Sequence, residues 1–344
     1  MIDRARTGSE GDSEMRLFKT TLLLTALASI ASFTPPALAA DTTPEVQAVD
    51  ALATLFGAHP GLRSNHAKGI MLESMFTGTP EGAALSKASH FNGTPVKTLV
   101  RFSDPTGIPD IKDNQPDATP KGMAVKFYLA DKSETDMALI SSKNFPTATV
   151  EDFRDLLLSV AASPATAPKP TKIETFLGGH PAALAWIKGL PAIPASFASE
   201  TFYGLNAFKL TAKDGKSTFV RFRFVPVGGE KHLSAEEAAK MGPNFLMEDI
   251  AARAAKGDAK FKLVAQVAEA GDKTGDATVN WPDDRKLVVL GELAVTAAVP
   301  DSAKAEKAVV FFPGLLPDGI AASDDPLIPS RDGAYAESFG RRIN

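Results

Sequence analysis

Two groups of residues in this chain have the types and spacing for chemistry. Near the C-terminus, Arg331, Tyr335 and Arg342 stand at i−4, i and i+7, so a helix through 329–344 carries all three on one face. The plainer reading makes Tyr335 the packing aromatic of a polar tail. The sharper one makes it a phenolate metal ligand, because a nearby guanidinium and a ferric ion both favour the charged oxygen. Far upstream, His66 follows Arg63 by three residues, with Arg101 and Ser103 on a later apolar run. A lone histidine is most often structural. Read as a general acid–base group, it needs an orienting partner, which the Ser103 hydroxyl can supply, leaving Arg63 and Arg101 free to pair with carboxylates.

Composition removes the main alternatives. The 344 residues include no cysteine and five histidines, at a net charge of −4. Disulfide frameworks, iron–sulfur clusters, thiolate haem, Cys-linked haem and thiol nucleophiles are excluded together, and a multi-histidine metal centre is disfavoured. The near-neutral charge argues against nucleic acid as a partner. No Gly-rich phosphate loop is present, so nucleotide folds have no support. Residues 15–40 read as a secretory signal: a basic start at Arg16 and Lys19, an apolar run over 20–30 and a small-residue site ending at Ala40. That run is too short to span a bilayer, and no later segment reads as transmembrane. The expectation is a cleaved 1–40 extension and a single 41–344 domain, periplasmic or secreted.

The elements that must position these groups follow from periodicity. Helical spacing marks 41–58, 149–161 (Thr149 as cap), 172–188 as one helix, a capping box opening at Ser234, and 244–256. Strand patterns cover 97–103, 122–129, 137–141, 261–269 and 286–296, with an extended run up to Thr79. Residues 203–212 and 217–226 form a hairpin about Asp214-Gly215. Seven or eight strands with helices clustered elsewhere predict an α+β fold, an antiparallel β-barrel decorated by helices.

In order along the chain, six stretches resemble the haem catalases: Arg63-Ser-Asn-His66-Ala-Lys-Gly, Val100-Arg101-Phe102-Ser103, Pro120-Lys-Gly-Met-Ala-Val-Lys-Phe-Tyr128, Tyr203-Gly-Leu-Asn-Ala-Phe208, Asn280-Trp281-Pro282 with Phe312-Pro-Gly, and Arg331-Asp-Gly-Ala-Tyr335. The resemblance spans nearly all of 45–344. It implies haem b between a distal His66 and a proximal Tyr335, haem ligation by tyrosine being a property of catalase among haem proteins. It further implies Arg63, Arg101 and Arg342 at the propionates and Arg331 on the phenolate. Ser103 would orient His66, and Phe153 would either stack on the haem or belong to an ordinary helix core. The family's distal asparagine falls on Asn144 after a one-residue shift, whereas anchoring on Pro146 puts Lys143 there.

The chain stops soon after the Tyr335 helix, where typical catalases continue, so it looks like the short, secreted, catalase-related peroxidases. The expected function is reduction of hydrogen peroxide and organic peroxides with a small-molecule electron donor, in a monomer or dimer. True dismutation of peroxide, a haem carrier and a haem-free ligand-binding barrel are the alternatives.

Overall fold

A computed structural model describes residues 42–344; the expected targeting segment at 15–40 lies outside the described residues. Among these, ten strands run in chain order: β1 (Gly69–Gly78), β2 (Val96–Ser103), β3 (Gly122–Tyr128), β4 (Glu134–Ile140), β5 (Phe202–Tyr203), β6 (Phe208–Thr211), β7 (Ser217–Pro226), β8 (Ala259–Val267), β9 (Leu287–Ala298) and β10 (Ile320–Ala322). Hydrogen bonding links them as β10-β6-β7-β5-β4-β3-β2-β1-β9-β8, and β8 pairs back onto β7. The ring β1-β2-β3-β4-β5-β7-β8-β9 is therefore a closed antiparallel barrel of eight strands, with β6 and β10 added beside it. Closure removes the free sheet edges that an open sheet would leave for aggregation.

The barrel closes around phenylalanine. Phe76, Phe102, Phe127, Phe202, Phe224 and Phe261 are all fully buried and belong to one apolar cluster. Each ring removed from water contributes about 1.5–3 kcal/mol. Period-2 alternation sends Val100 and Phe102 inward from β2, and Met123, Val125 and Phe127 inward from β3. It sends Arg101 and Ser103 to the other face. Register shifts at Glu73/Ser74 in β1 and at Leu263/Val264 in β8 mark bulges that bend the wall where it curves.

Helices α1 (Pro44–Phe56), α2 (Pro80–Leu85), α3 (Val150–Ala161), α4 (Lys172–Gly179), α5 (Pro181–Lys188), α6 (Ala235–Ala239), α7 (Phe245–Lys256), α8 (Ser302–Ala308) and α9 (Leu327–Ile343) surround the ring. Helix α3 starts where expected, with the Thr149 hydroxyl accepting from the Asp152 amide. Ser234 and Glu237 close their capping box at the head of α6. Helix α9 packs on α1, and Gly333 makes that approach possible: a Cβ there would stand 2.8 Å from Glu45 Cγ. Arg341 adds an ion pair to Asp50 at 2.8 Å.

Two expectations about elements are corrected. Residues 172–188 form two helices, because Pro181 has no N–H to donate and its ring crowds the preceding turn, so α4 ends and α5 begins with proline in its first turn. The strand expected over 203–212 is interrupted at 204–207. Gly204 still donates to the Phe222 carbonyl at 2.7 Å, but Asn206 leaves the ladder and puts its side chain to other use. The short elements α2, α8 and β10 have no counterpart in the sequence reading. None of the described helices is long and apolar enough to cross a membrane.

Candidate active site

Strands β2, β3 and β4 are in register such that Ser103 pairs with Gly122 and Gly122 with Ile140, while Arg101 pairs with Ala124 and Ala124 with Ala138. All six lie on the outward face of the barrel and line one cavity. Gly122, Ala124 and Ala138 put only small side chains into this floor. Helices α1 and α9, residues 63–66 and residues 310–311 complete the walls, enclosing about 1350 Å³ of atom-free space that includes the mouth. Val49, Leu52, Leu139, Val150 and Leu327 make the lining mostly apolar. His66, Tyr335, Arg63, Arg101, Arg331, Arg342, Ser103 and Phe153 all border this space.

His66 is held from three sides. Its Nδ1 lies 3.0 Å from Ser103 Oγ. Its carbonyl accepts from Arg101 Nη2 at 2.9 Å, and that guanidinium is anchored by Glu306 Oε2 at 2.7 Å. Its backbone takes φ of 54°, a left-handed conformation that costs a non-glycine residue about 1 kcal/mol or more and persists only where the surroundings impose it. Gly122 sets the clearance: a Cβ there would stand 2.5 Å from Ser103 Oγ and 2.7 Å from His66 Nδ1. Burial, with Arg101 next, pushes the imidazole down to about 3, against a hydrogen bond to the Asp104 backbone that works the other way. The ring is neutral at physiological pH. With Nδ1 engaged by the Ser103 hydroxyl, Nε2 is the ring nitrogen left for a substrate, and in the tautomer in which Nδ1 donates to Ser103 it carries the lone pair of a base.

Behind this wall lies a buried ion cluster. Lys121 Nζ donates to Asp104 Oδ1 at 2.5 Å, and Lys68 Nζ to Asp113 Oδ1 at 2.5 Å. Burial pushes the Asp104 carboxyl up to about 7, opposed by Lys121. Lys68, Asp104 and Lys121 flank His66, Ser103 and Gly122 in sequence, so the cluster pins the ends of β1, β2 and β3 where the histidine sits.

The other wall is built within one helix. Arg331 Nε and Nη2 both donate to the Tyr335 phenol oxygen at 3.2 Å, the contact that i,i+4 spacing makes available. The same guanidinium donates to Asn206 Oδ1 at 2.6 Å and to the Ala138 carbonyl at 2.9 Å. Asn206, freed by the break in the strand, donates in turn to Asp325 Oδ2 at 2.8 Å. Two charged donors on one phenol oxygen suit an anionic oxygen ligand.

Three further guanidiniums crowd one end. Arg63 and Arg342 both donate to the Val309 carbonyl, at 2.8 and 2.9 Å. Arg101 takes Glu306. Arg63 Nε is buried with no partner. Burial lowers the Arg63 guanidinium, with Arg101 and Arg342 adding to the shift; burial and Arg101 likewise push Arg342 down to about 10. One carboxylate among three arginines leaves room for anions, and carboxylates match a guanidinium's fork of donors.

The residues fit a haem. A phenol oxygen backed by arginine suits an iron ligand, the mostly apolar cavity with its small side chains at 122, 124 and 138 leaves room for a planar ring, the under-neutralised arginines with the orphaned Arg63 Nε suit propionates, and a neutral imidazole stands ready as base. Phe153 does two things at once: it lines the cavity beside Phe145, at a ring distance of 5.1 Å, and it packs into the α1–α3 contact with Ala51, Leu52 and Leu157. Asn144 is not among the lining residues. Its Nδ2 donates to the Thr278 carbonyl at 3.1 Å, and Phe145 lines the cavity in its stead. Lys143 faces away too, pairing with Asp283 at 2.9 Å.

Sequence reasoning missed the roles of Asn206, Glu306, Gly122 and Ser338, whose Oγ accepts from the Ser64 amide at 3.1 Å. Gly204, a strand breaker just before Asn206, was the available signal for the first. The others act through contacts more than 18 residues away in the chain and leave no local mark.

Comparison with known proteins gives the family and the fold. The sequence model of the Catalase family matches residues 45–344. A catalase-related peroxidase of Mycolicibacterium paratuberculosis is 37% identical over 87% of this chain and 95% of its own length. One from Synechococcus elongatus is 32% identical over 93% and 94%. A crystal structure of a fungal catalase superposes with a TM-score of 0.72 at 23% identity, over 86% of this chain and 62% of that one, and so shares the fold. With that match across nearly the whole described chain, and a phenol, arginines and imidazole lining one cavity on an eight-stranded barrel, the protein belongs to the catalase family.

Proposed function

We propose that the protein is a haem-dependent peroxidase that reduces hydrogen peroxide and organic peroxides at the expense of a small-molecule electron donor. The observation that carries this reading is one cavity bordered by both a neutral, oriented His66 and a Tyr335 whose oxygen accepts two bonds from Arg331. Peroxidase in preference to dismutase is supported by the two relatives named catalase-related peroxidase, which align over nearly their full lengths. The signal-like pattern at 15–40 supports a periplasmic or secreted setting, for defence against peroxide there, and a monomer or dimer is the proposed assembly.

Tyr335 would ligate the iron of haem b, with Arg331 holding the phenolate, and Arg63, Arg101 and Arg342 would hold the propionates. The bound haem supplies the two-electron redox chemistry needed to break the O–O bond. The protein's part is proton handling. His66 Nε2 accepts the proton from one peroxide oxygen and delivers it to the other, which leaves as water or an alcohol. Ser103 keeps the ring in the tautomer that does this, and Arg101 keeps its backbone in place.

The test is the absorption spectrum of the purified protein with and without peroxide, followed by product analysis. A Soret band, with oxidation of a guaiacol-type donor exceeding oxygen release, is expected. Oxygen release far above donor oxidation would make it a dismutase, a Soret band without turnover a carrier, and no Soret band a haem-free barrel.

A further inference from the structure

Peroxide cleavage needs more than a base. The peroxide must be held beside the imidazole while the proton crosses from one oxygen to the other, and a neutral hydrogen-bond donor does this without a change of its own protonation state. The expected donor, the Asn144 amide, is spent on the Thr278 carbonyl outside the cavity.

Two other carboxamides border the cavity, at Asn65 and Asn206. Asn206 is saturated: Oδ1 accepts from Arg331 and Nδ2 donates to Asp325. Asn65 is different. It directly precedes His66, it is half-buried against the cavity, and its side chain makes no hydrogen bond to any described residue. Its position is imposed from both sides, by the Ser64 amide bound to Ser338 Oγ at 3.1 Å and by the left-handed backbone of His66. Of the two carboxamides on the cavity, Asn65 is the one whose donor and acceptor are both unspent, so its N–H is free for a molecule that enters there.

We infer that Asn65 is the peroxide-binding amide of this site, its Nδ2–H donating to the peroxide oxygen while His66 Nε2 moves the proton. The inference rests on the haem-peroxidase reading above. It places the amide on the same short segment as the base, so the two move together, and it makes Asn65 a determinant of which peroxides bind.

The experiment uses the haem-loaded protein and reads two quantities: the cyanide dissociation constant from the Soret shift, and kcat/KM for hydrogen peroxide from pH 5 to 8. Removing a donor to a ligand oxygen or anion costs about tenfold, so Asn65→Ala is expected to weaken cyanide and lower kcat/KM by about that factor. Because an amide does not titrate, the loss should be the same at every pH. Asn65→Asp, similar in shape but lacking the donor and carrying charge, should weaken cyanide further. Wild-type values within twofold for Asn65→Ala, or a loss that appears in Asn144→Ala instead, overturn the inference while leaving the peroxidase reading intact. A wild-type protein that binds no haem or turns over no peroxide overturns both.

Discussion

The chain buries two neutral imidazoles, one on each side of the barrel wall. His66 stands on the outer face, bordering the cavity; His90 stands among the inward-facing Phe76 and Phe127, with Phe91 at a ring distance of 4.0 Å. Burial depresses both to about 3. Their surroundings then diverge. His66 has Ser103 on Nδ1, arginines around it and an approach route, whereas neither nitrogen of His90 has a partner. A depressed basicity therefore does not by itself mark a catalyst, since burial alone depresses His90 as far as burial and arginines together depress His66. What makes one of the two a catalyst is an oriented tautomer beside a space that a substrate can enter.

The largest test of this contrast removes each ring in turn. His66→Ala is expected to lower peroxide turnover by about 10²–10⁴-fold while retaining haem, as loss of a general acid–base group does. His90→Leu should leave turnover unchanged. Equal losses from the two would erase the distinction.

Next in size is Gly122→Ala, which touches neither histidine chemically. Its Cβ would overlap Ser103 Oγ and His66 Nδ1, and displacing a catalytic group by such an amount costs about 10²-fold in kcat. The Soret band should persist, and a crystal structure should show the imidazole shifted; full activity would mean that the ring position is not set by this clearance.

Ser103→Ala removes only the orienting bond. The expected loss in kcat is about fivefold, the worth of one neutral hydrogen bond near 1 kcal/mol. Steady-state kinetics settles it, a loss as deep as that of His66→Ala making the hydroxyl itself catalytic.

The smallest effect concerns stability. For both histidines the folded value lies below the ordinary 6.5, so their contribution is fully present above pH 6.5 and is lost as pH falls toward about 3, where the unfolded chain takes up protons that the folded one refuses. Removing the unpartnered ring in His90→Leu should raise stability at pH 7 by about 1 kcal/mol and make the decline between pH 6.5 and 4 shallower. Urea midpoints at the two pH values measure this, and a lower midpoint at pH 7 would show that His90 packs better than any apolar substitute.

The same contrast separates what could be read in advance from what could not. Tyr335 and Arg331 were legible because one helical turn brings i and i+4 together, whatever the rest of the chain does. The barrel was legible as alternating runs, and its helix caps as Thr149 and the Ser234–Glu237 pair. The position of Asn144 was not legible: a one-residue choice of alignment decides which side chain enters a wall, and only the contact with Thr278 shows where the amide goes. His90, in turn, has no sequence feature that marks it as the idle partner of His66.

The chain's composition and local spacing determined that it would use no thiol chemistry, that an arginine would stand one turn from a tyrosine, and that alternating strands would close around apolar side chains. Such features depend on atoms a few bonds apart and on the periods of helix and strand. Tertiary structure alone decided that Gly122 would clear the way for His66, that Glu306 would anchor Arg101, that Asn206 would hold Arg331, and that Asn65 in place of Asn144 would border the cavity. Those depend on strand register and on where the walls meet. A one-residue slip along a strand turns every side chain to the opposite face, and the packing of the whole barrel is what forbids it.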